Sequence, residues 1–556
     1  MSNNDLSSKE VKFPHLFHAG FSLNAVSFLL IVVGVVFRLK HYFENRSFWL
    51  DEAYVSVQTA NRTWHQILSF IPIFSDQPKA PLLVYCFGKA AIGFLGNNEY
   101  ALRLLPLSAS LISLIIFYLL LKKYVSARAQ IVALGLFAFA DSLIYYAAEL
   151  KPYSSDVFVF LLLGFVYHLL DRYRYSFLPI VFLLFVGVFS MWLSNPTLFI
   201  LPGLGVSAYY MNWKEKKHTN LFFLRLIFIF WALNFIAIYK LSYGDMLKSN
   251  YIVDLARARG GFPMSYTFID IILWLKHVFV DTFYHLAGLR VPVVGLLLAL
   301  VGGYSLFKRN TCFFFFIFSP FCLCFFAAFI SKYPFYDRMV LFLSPLIFLL
   351  LAEGFDWLLN HCPRAQRIVA CLVLFLLFAF PVKTSVAYLF KRRLVQDTRQ
   401  ALEFIKEHIE PDDYIVVNQS GQYHLMYYLN SIGLTRKMTH YEVEGVDDKN
   451  HYYLKIVRTN DGLDVREEGA FMFARNEIYQ MSNDHFYKTT IIKKDKSDIL
   501  VITDISVSNI TSRRFWIFYS NAQDDAKQYV LDLFDKYGTR KYAKEFYGAS
   551  VHLYEF

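Results

Sequence analysis

The 556-residue chain is poor in cysteine, and Cys86, Cys312, Cys322, Cys324, Cys362 and Cys371 show no metal-ligand spacing. None lies beyond residue 371, so neither a disulfide scaffold nor a zinc centre is expected. Glycine is also scarce, at 25 residues, and the polar C-terminal part has no glycine loop of the kind that wraps a phosphate. No internal repeat is visible, and no Gly or Pro breaks occupy matching midplane positions of two halves. That counts against the alternative of a transporter or flippase of lipid-linked glycans built from inverted repeats. The N-terminal stretch MSNNDLSSKEVKF is polar, and no small-residue cleavage site follows the first apolar run. The run is expected to remain as a membrane span, not to leave as a signal peptide. What the chain has in excess is apolar: 56% hydrophobic and 19% aromatic residues, with a mean hydropathy of +0.37. A soluble core needs far less, so this is read as an integral membrane protein whose first partner is the lipid bilayer.

Runs long enough to cross roughly 30 Å of hydrocarbon lie near residues 21–38, 102–121, 129–148, 157–171, 176–193, 196–212, 220–240, 290–307, 311–330, 339–358 and 367–386. These about eleven spans define a polytopic α-helical domain over residues 1–386. The run 81–95, PLLVYCFGKAAIGFL, is short and carries Lys89 in its middle. Charge decides its place. With 81–95 on the surface and a cytoplasmic N-terminus, the inner loops hold Lys122, Lys123, Arg128, Arg172, Arg174, Lys214, Lys216, Lys217, Lys308, Arg309, Arg364 and Arg367. The short outer turns hold only Lys151, Lys332 and Arg338. This is the asymmetry of the positive-inside rule, and a span at 81–95 would invert most of it. The segment is expected as an interfacial amphipathic helix in a large first outer loop. The net charge of +11 is accounted for by this topology and gives no reason to invoke nucleic acid. Lys391, Arg392 and Arg393 land outside, but they precede a long translocated segment, where the rule has little force.

Residues 387–556 change character. Charges become frequent, and helix-like DTRQALEFIKEHI and DDAKQYVLDLFDKYG alternate with strand-like YIVVN, DILVITDIS, FWIFYS and SVHLYEF. A small soluble α/β domain outside the cytoplasm is expected.

On this topology the polar features gather on the outer face: Arg38, the pair Asp51 and Glu52, Lys79, Glu99 and Arg103, Glu149, Lys151 and Tyr153, Asn195, the loop 241–289, and Lys332, Tyr336, Asp337 and Arg338. Ionisable groups at membrane depth cost about 2.5 to 3.5 kcal/mol each, so such a collection lines a polar cavity. One positioned carboxylate can take a proton from a hydroxyl, and several cations can hold an anionic phosphate. The combination suits transfer of a sugar from a lipid phosphate to an acceptor hydroxyl. Blander roles compete: Asp51 and Glu52 in the first turn of a helix suit its dipole, Glu149 and Lys151 can pair locally, and Lys332 and Arg338 can snorkel. Asp141, inside the third run, is expected to satisfy a helix–helix hydrogen bond.

The order of these motifs resembles the GT-C glycosyltransferases that use polyprenyl-phosphate sugars, a group that includes protein O-mannosyltransferases, aminoarabinose transferases and the family 39-like enzymes. Arg38 closes the first span, FWLDEAY follows, then PKAPLLVY, NEYALRLLPLSAS, ELKPYSSD and YPFYDRMVLFLSP, and LEFIKEHIEPDDYIVV opens the tail. Lys151 stands where relatives usually carry Arg, and Lys79-Ala80-Pro81 replaces a common His-Pro-Pro. The resemblance implies an inverting transferase with Asp51 as catalytic base and Glu52 orienting acceptor or sugar. It implies Lys79, Arg103, Lys332 and Arg338 around the lipid phosphate, with Glu149, Lys151 and Tyr153 facing the same cavity. The donor would be an undecaprenyl- or dolichyl-phosphate monosaccharide. No cofactor and no catalytic metal are expected, because the WWDYG-like signature of the oligosaccharyl branch is missing. The few Gly and many Phe, Lys and Ile lean towards a bacterial inner membrane. A polysaccharide ligase or polymerase of another fold would carry its large outer loop late in the chain, whereas here the acidic pair follows the first span.

Overall fold

The computed structural model describes residues 23–70, 80–173, 177–243, 250–361, 363, 367–410, 413–417 and 420–434, and in the tail 442–444, 453–459, 462–468, 490–493, 498–501, 514–520, 527–528, 531–532, 534–535 and 538–555. The protein is a multi-pass integral membrane protein. Eight of its described helices are long and apolar enough to cross a membrane: Leu23–Phe43, Glu99–Tyr124, Tyr153–Arg172, His218–Ser242, Pro292–Arg309, Thr311–Phe329, Asp337–His361 and Ile368–Phe390. The remaining three expected runs are also helical, as Ala127–Phe139, Leu178–Leu193 and Thr197–Lys214. The disputed run 81–95 forms a helix of 14 residues, Leu82–Leu95, whose Lys89 donates to Ala60 O at 2.8 Å.

One expectation is corrected. The run 129–148 is not one helix but two, Ala127–Phe139 and Asp141–Tyr146, broken at Ala140 (ψ 111°). A break frees carbonyls that hydrocarbon cannot satisfy. Arg38, fully buried at the end of the first span, supplies the donors: Nη2 to Phe137 O at 3.2 Å and Nη1 to Ala138 O at 3.4 Å, with Nε on Ser110 Oγ at 2.8 Å. Elsewhere helices Pro292–Arg309 and Ser344–His361 touch backbone to backbone. A Cβ at Gly302 would lie 2.0 Å from Leu350 O, and one at Gly354 2.0 Å from Leu298 O, so only glycine admits this crossing.

The loops sort to two ends. At one end Arg309 binds Tyr124 O at 2.8 Å and Glu353 at 2.6 Å, and Arg128 pairs with Asp356 at 3.0 Å. At the other end the acidic-pair loop, the 140–152 turn, the 331–338 stretch and the tail meet. Asp141 pairs there with Arg393, at 2.5 Å, so the expected hydrogen bond is an ion pair with the first residues after the last span.

That last helix runs to Phe390. The tail then builds a seven-stranded sheet in the order Glu442–Glu444, Thr490–Lys493, Asp498–Val501, Tyr414–Val417, Arg514–Ser520, Ala549–Glu555, Thr539–Phe546. Tyr414–Val417 runs parallel to both its neighbours, and the outer pairings are antiparallel. The helices Thr398–His408 and Gly421–Ser431 cover it, as the alternating periods predicted for an α/β unit. Their buried Leu402, Ile405 and Tyr428 share one apolar cluster with Phe48, Val55 and Val57 from the first loop. The tail is therefore docked on the acidic-pair end.

Replacing Arg38 by Met would strand two backbone carbonyls in an apolar surround, at about 1–3 kcal/mol for each unsatisfied group. Arg38→Met is expected to lower the melting temperature of the detergent-solubilised protein clearly. An unchanged melting temperature would disconnect the break from Arg38.

Candidate active site

Helix Leu50–Ala60 carries both acids in its first turn, where the dipole favours negative charge. Successive helical residues point about 100° apart, and the two acids part accordingly. Glu52 turns inward and is fully buried, whereas the Asp51 side chain keeps 27% exposure.

Glu52 meets a fork. Arg103, from the helix Glu99–Tyr124, donates Nε to Oε1 at 2.8 Å and Nη2 to Oε2 at 2.7 Å. Leu150 N adds a third bond to Oε1 at 2.7 Å. Arg103 Nη1 reaches Arg46 O at 2.6 Å, and the guanidinium lies 4.7 Å from the Phe48 ring centre. Arg103 is 2% exposed, so it stands behind the pair as its support and not at the open face. Burial opposes ionisation of Glu52, but Arg103 outweighs it and holds the carboxyl below its ordinary value.

Asp51 faces a looser set of cations. Arg338 Nη2 lies 2.6 Å from its Oδ2, and the Arg338 guanidinium also sits over Trp49 at 5.2 Å and Tyr153 at 5.6 Å. Arg338 follows Asp337, whose φ of 41° is left-handed and whose N–H is held by the buried carboxylate of Asp281. Such a left-handed backbone at a non-glycine residue costs energy and persists only where the surroundings hold it, here immediately before Arg338. Burial of Asp51 acts to raise its carboxyl, yet Lys151, Arg338 and the more distant Arg259 together hold it below the usual range. Burial lowers the Lys151 ammonium, against the pull of Asp51.

Glu149 is fully buried behind Glu52, with Arg46 Nη2 at 3.6 Å. Burial, reinforced by the charge of Glu52, pushes its carboxyl up to about 7.

Sequence reasoning thus placed Asp51, Glu52, Arg103, Glu149, Lys151, Tyr153 and Arg338 in what proves to be one cluster. Lys332 is exposed, and no side-chain contact ties it to that cluster among the described residues. Lys79 lies outside the described residues. Two cations were missed. Arg46 hides in the approach to the acids, and Arg259 lies in the turn just after the helix Asn250–Ala258, in a loop that sequence reading left undivided. Phe335 N donates to Gly261 O at 2.9 Å, which ties this loop to the Arg338 stretch. Among the described residues no group of three or more His, Cys, Asp or Glu could hold a metal ion.

In fold, this multi-pass helical domain with its docked α/β tail is similar to solved GT-C glycosyltransferase structures. The fold is similar to that of ArnT, an aminoarabinose transferase, from Cupriavidus metallidurans bound to undecaprenyl phosphate. The TM-score is 0.50 at 12% identity, over 95% of this chain and 97% of that one. The apo oligosaccharyltransferase of Archaeoglobus fulgidus gives a TM-score of 0.47 at 12% identity over 74% of this chain, which spans 64% of that chain. No family model and no curated protein sequence matches the chain.

Between the ordinary carboxyl value and about 7, folded Glu149 keeps a proton that the unfolded chain releases, so its contribution to stability falls as pH rises through that interval. Glu149→Gln removes this dependence. Melting curves between about pH 5 and about pH 8 should show the parent losing stability relative to the variant. Parallel curves would contradict the assignment.

Proposed function

We propose that this protein is an inverting glycosyltransferase that moves a monosaccharide from an undecaprenyl or dolichyl phosphate carrier to a hydroxyl acceptor at the outer face of a membrane. The observation that carries the reading is Asp51 itself: an accessible carboxylate, ionised under the influence of Lys151, Arg338 and Arg259, beside a second acid locked by Arg103. The likeness in fold to ArnT, whose structure was solved with undecaprenyl phosphate bound, supports the choice of carrier.

In this mechanism the acceptor oxygen forms a bond to the anomeric carbon as the bond from that carbon to the phosphate oxygen breaks on the opposite face. The acceptor proton passes to Asp51, and the configuration inverts. The lipid phosphate leaves with its charge held by Arg338, Lys151 and Arg259, and needs little protonation. Lys79 and Lys332 remain proposed phosphate contacts on the resemblance alone. Glu52 and Arg103 act through position, Tyr153 shapes the Arg338 face, and Glu149 backs Glu52.

Purified parent and Asp51→Asn protein, each given a panel of polyprenyl-phosphate monosaccharides and hydroxyl acceptors, test this directly. Loss of the general base should lower turnover roughly a thousandfold, and undiminished transfer by Asp51→Asn would refute the assignment. Arg259→Ala removes one charge-assisted contact, so the KM for the donor should rise about tenfold. An unaltered donor KM would take Arg259 off the phosphate.

A further inference from the structure

The peptide that delivers the two acids is held by residues more than three hundred positions further along the chain. Phe48 N donates to Tyr428 Oη at 2.9 Å, and Phe48 O accepts from Thr398 Oγ1 at 3.0 Å. Leu50 N donates to Gln396 Oε1 at 2.9 Å. Ser47 Oγ donates to Gln400 Oε1 at 2.6 Å, and Arg399 Nη2 donates to Asn45 O at 2.8 Å. A helix start needs acceptors for its first N–H groups. Here the N-cap residue is Trp49, which makes no side-chain cap. Gln396, from the tail, accepts from Leu50 in place of a local capping residue.

Gln396 is braced in turn. Asp397 N donates to Tyr547 O at 2.8 Å, in the turn between the two final strands. Gly548 in that turn has φ +65°, and a Cβ there would meet Gln396 Cγ at 2.9 Å and Val395 O at 3.1 Å. The same tail reaches the other side of the acidic pair. Tyr428 Oη donates to Glu99 at 2.9 Å and Arg399 pairs with Glu99 at 2.7 Å, one helical turn before Arg103.

We infer that the tail is a positioning element of the transferase. Gln396, Thr398 and Tyr428 clamp the peptide 47–50, and the turn at Tyr547 and Gly548 fixes the clamp, so that Asp51 is presented to Arg338 and Glu52 to Arg103. None of these tail residues touches the reacting atoms. The inference rests on the reading of Asp51 as base for its catalytic consequence, but the clamp itself can be measured without any substrate.

The test uses the full-length protein in detergent. Thr398→Val combined with Tyr428→Phe removes the two bonds to Phe48, and with them the Tyr428 bond to Glu99, with almost no change of volume, and Thr398→Ser keeps its hydroxyl. Hydrogen–deuterium exchange of peptides covering residues 46–56 should quicken about tenfold in the double variant, with the helix Glu99–Tyr124 beyond its first turn, residues 104–124, protected as before. With any donor from the panel that the parent turns over, kcat should drop about 100-fold at a nearly constant donor KM, and Thr398→Ser should restore most of it. Gly548→Ala, distant from any substrate, should move both readouts in the same direction. Unaltered exchange in residues 46–56 overturns the clamp. Faster exchange with undiminished kcat overturns its catalytic role. If the parent transfers no sugar at all, the proposed function fails, while the exchange result still decides whether the tail holds the loop.

Discussion

The arrangement depends on one buried ion pair, Arg103 with Glu52. A buried charge pair contributes only when its geometry is close to ideal and its spare donors and acceptors are filled. Both conditions hold: the guanidinium meets the carboxylate with two parallel bonds, and its remaining donors go to Arg46 O and Ser47 O. Glu52 completes its own set with Leu150 N. The single pair therefore registers four pieces of chain: the approach loop, the helix Leu50–Ala60, the span Glu99–Tyr124 and the 148–151 turn. Lysine could not replace this arginine, since a point charge fixes a carboxylate's distance but not its plane.

From this pair outward, the cations form a gradient of exposure. Arg103 is sealed in the wall, Arg338 has a side chain 16% exposed between Trp49 and Tyr153, and Arg259 is open. Each position suits a different task. A sealed guanidinium is too well bound to meet a ligand, whereas an aromatic-flanked one is aimed yet still reachable.

The spans were legible because twenty apolar residues in a row are a local property, and each of the eleven runs is helical. The cluster of the candidate site was legible where residue type alone marks it, as with Asp51, Glu52 and the YPFYDRM stretch, which the structure brings together. What sequence could not give is direction. The Arg103 motif looks the same whether its guanidinium faces a phosphate or a neighbouring acid, and only the packing of two helices decides. The break at Ala140 carries no Pro or Gly, and Arg38, which satisfies its carbonyls, sits about a hundred residues away. Arg259 follows a helix of only nine residues, too short to stand out in the long loop around it. The tail's grip on Phe48 and Leu50 left one trace, a helix beginning SFWLDEA with no Ser, Thr, Asp or Asn at the cap position, which marks an N–H row that something distant must satisfy.

An apparent conflict in the site then resolves. A carboxylate whose proton affinity is lowered by cations is a poor base, yet Asp51 is held low by the same groups proposed to hold the lipid phosphate. The conflict disappears once the donor is counted among the charges. A phosphate arriving at Lys151, Arg338 and Arg259, as proposed, would bring negative charge to them, draw their field away from Asp51 and raise its affinity for a proton. On the proposed reading, Asp51 is thus kept ionised while the site is empty and would gain proton affinity when a sugar donor is in place. Glu52 cannot respond in this way, because Arg103 is sealed from any ligand, and that difference in the exposure of their partners is what would separate two adjacent acids into the proposed proton acceptor and a fixed strut.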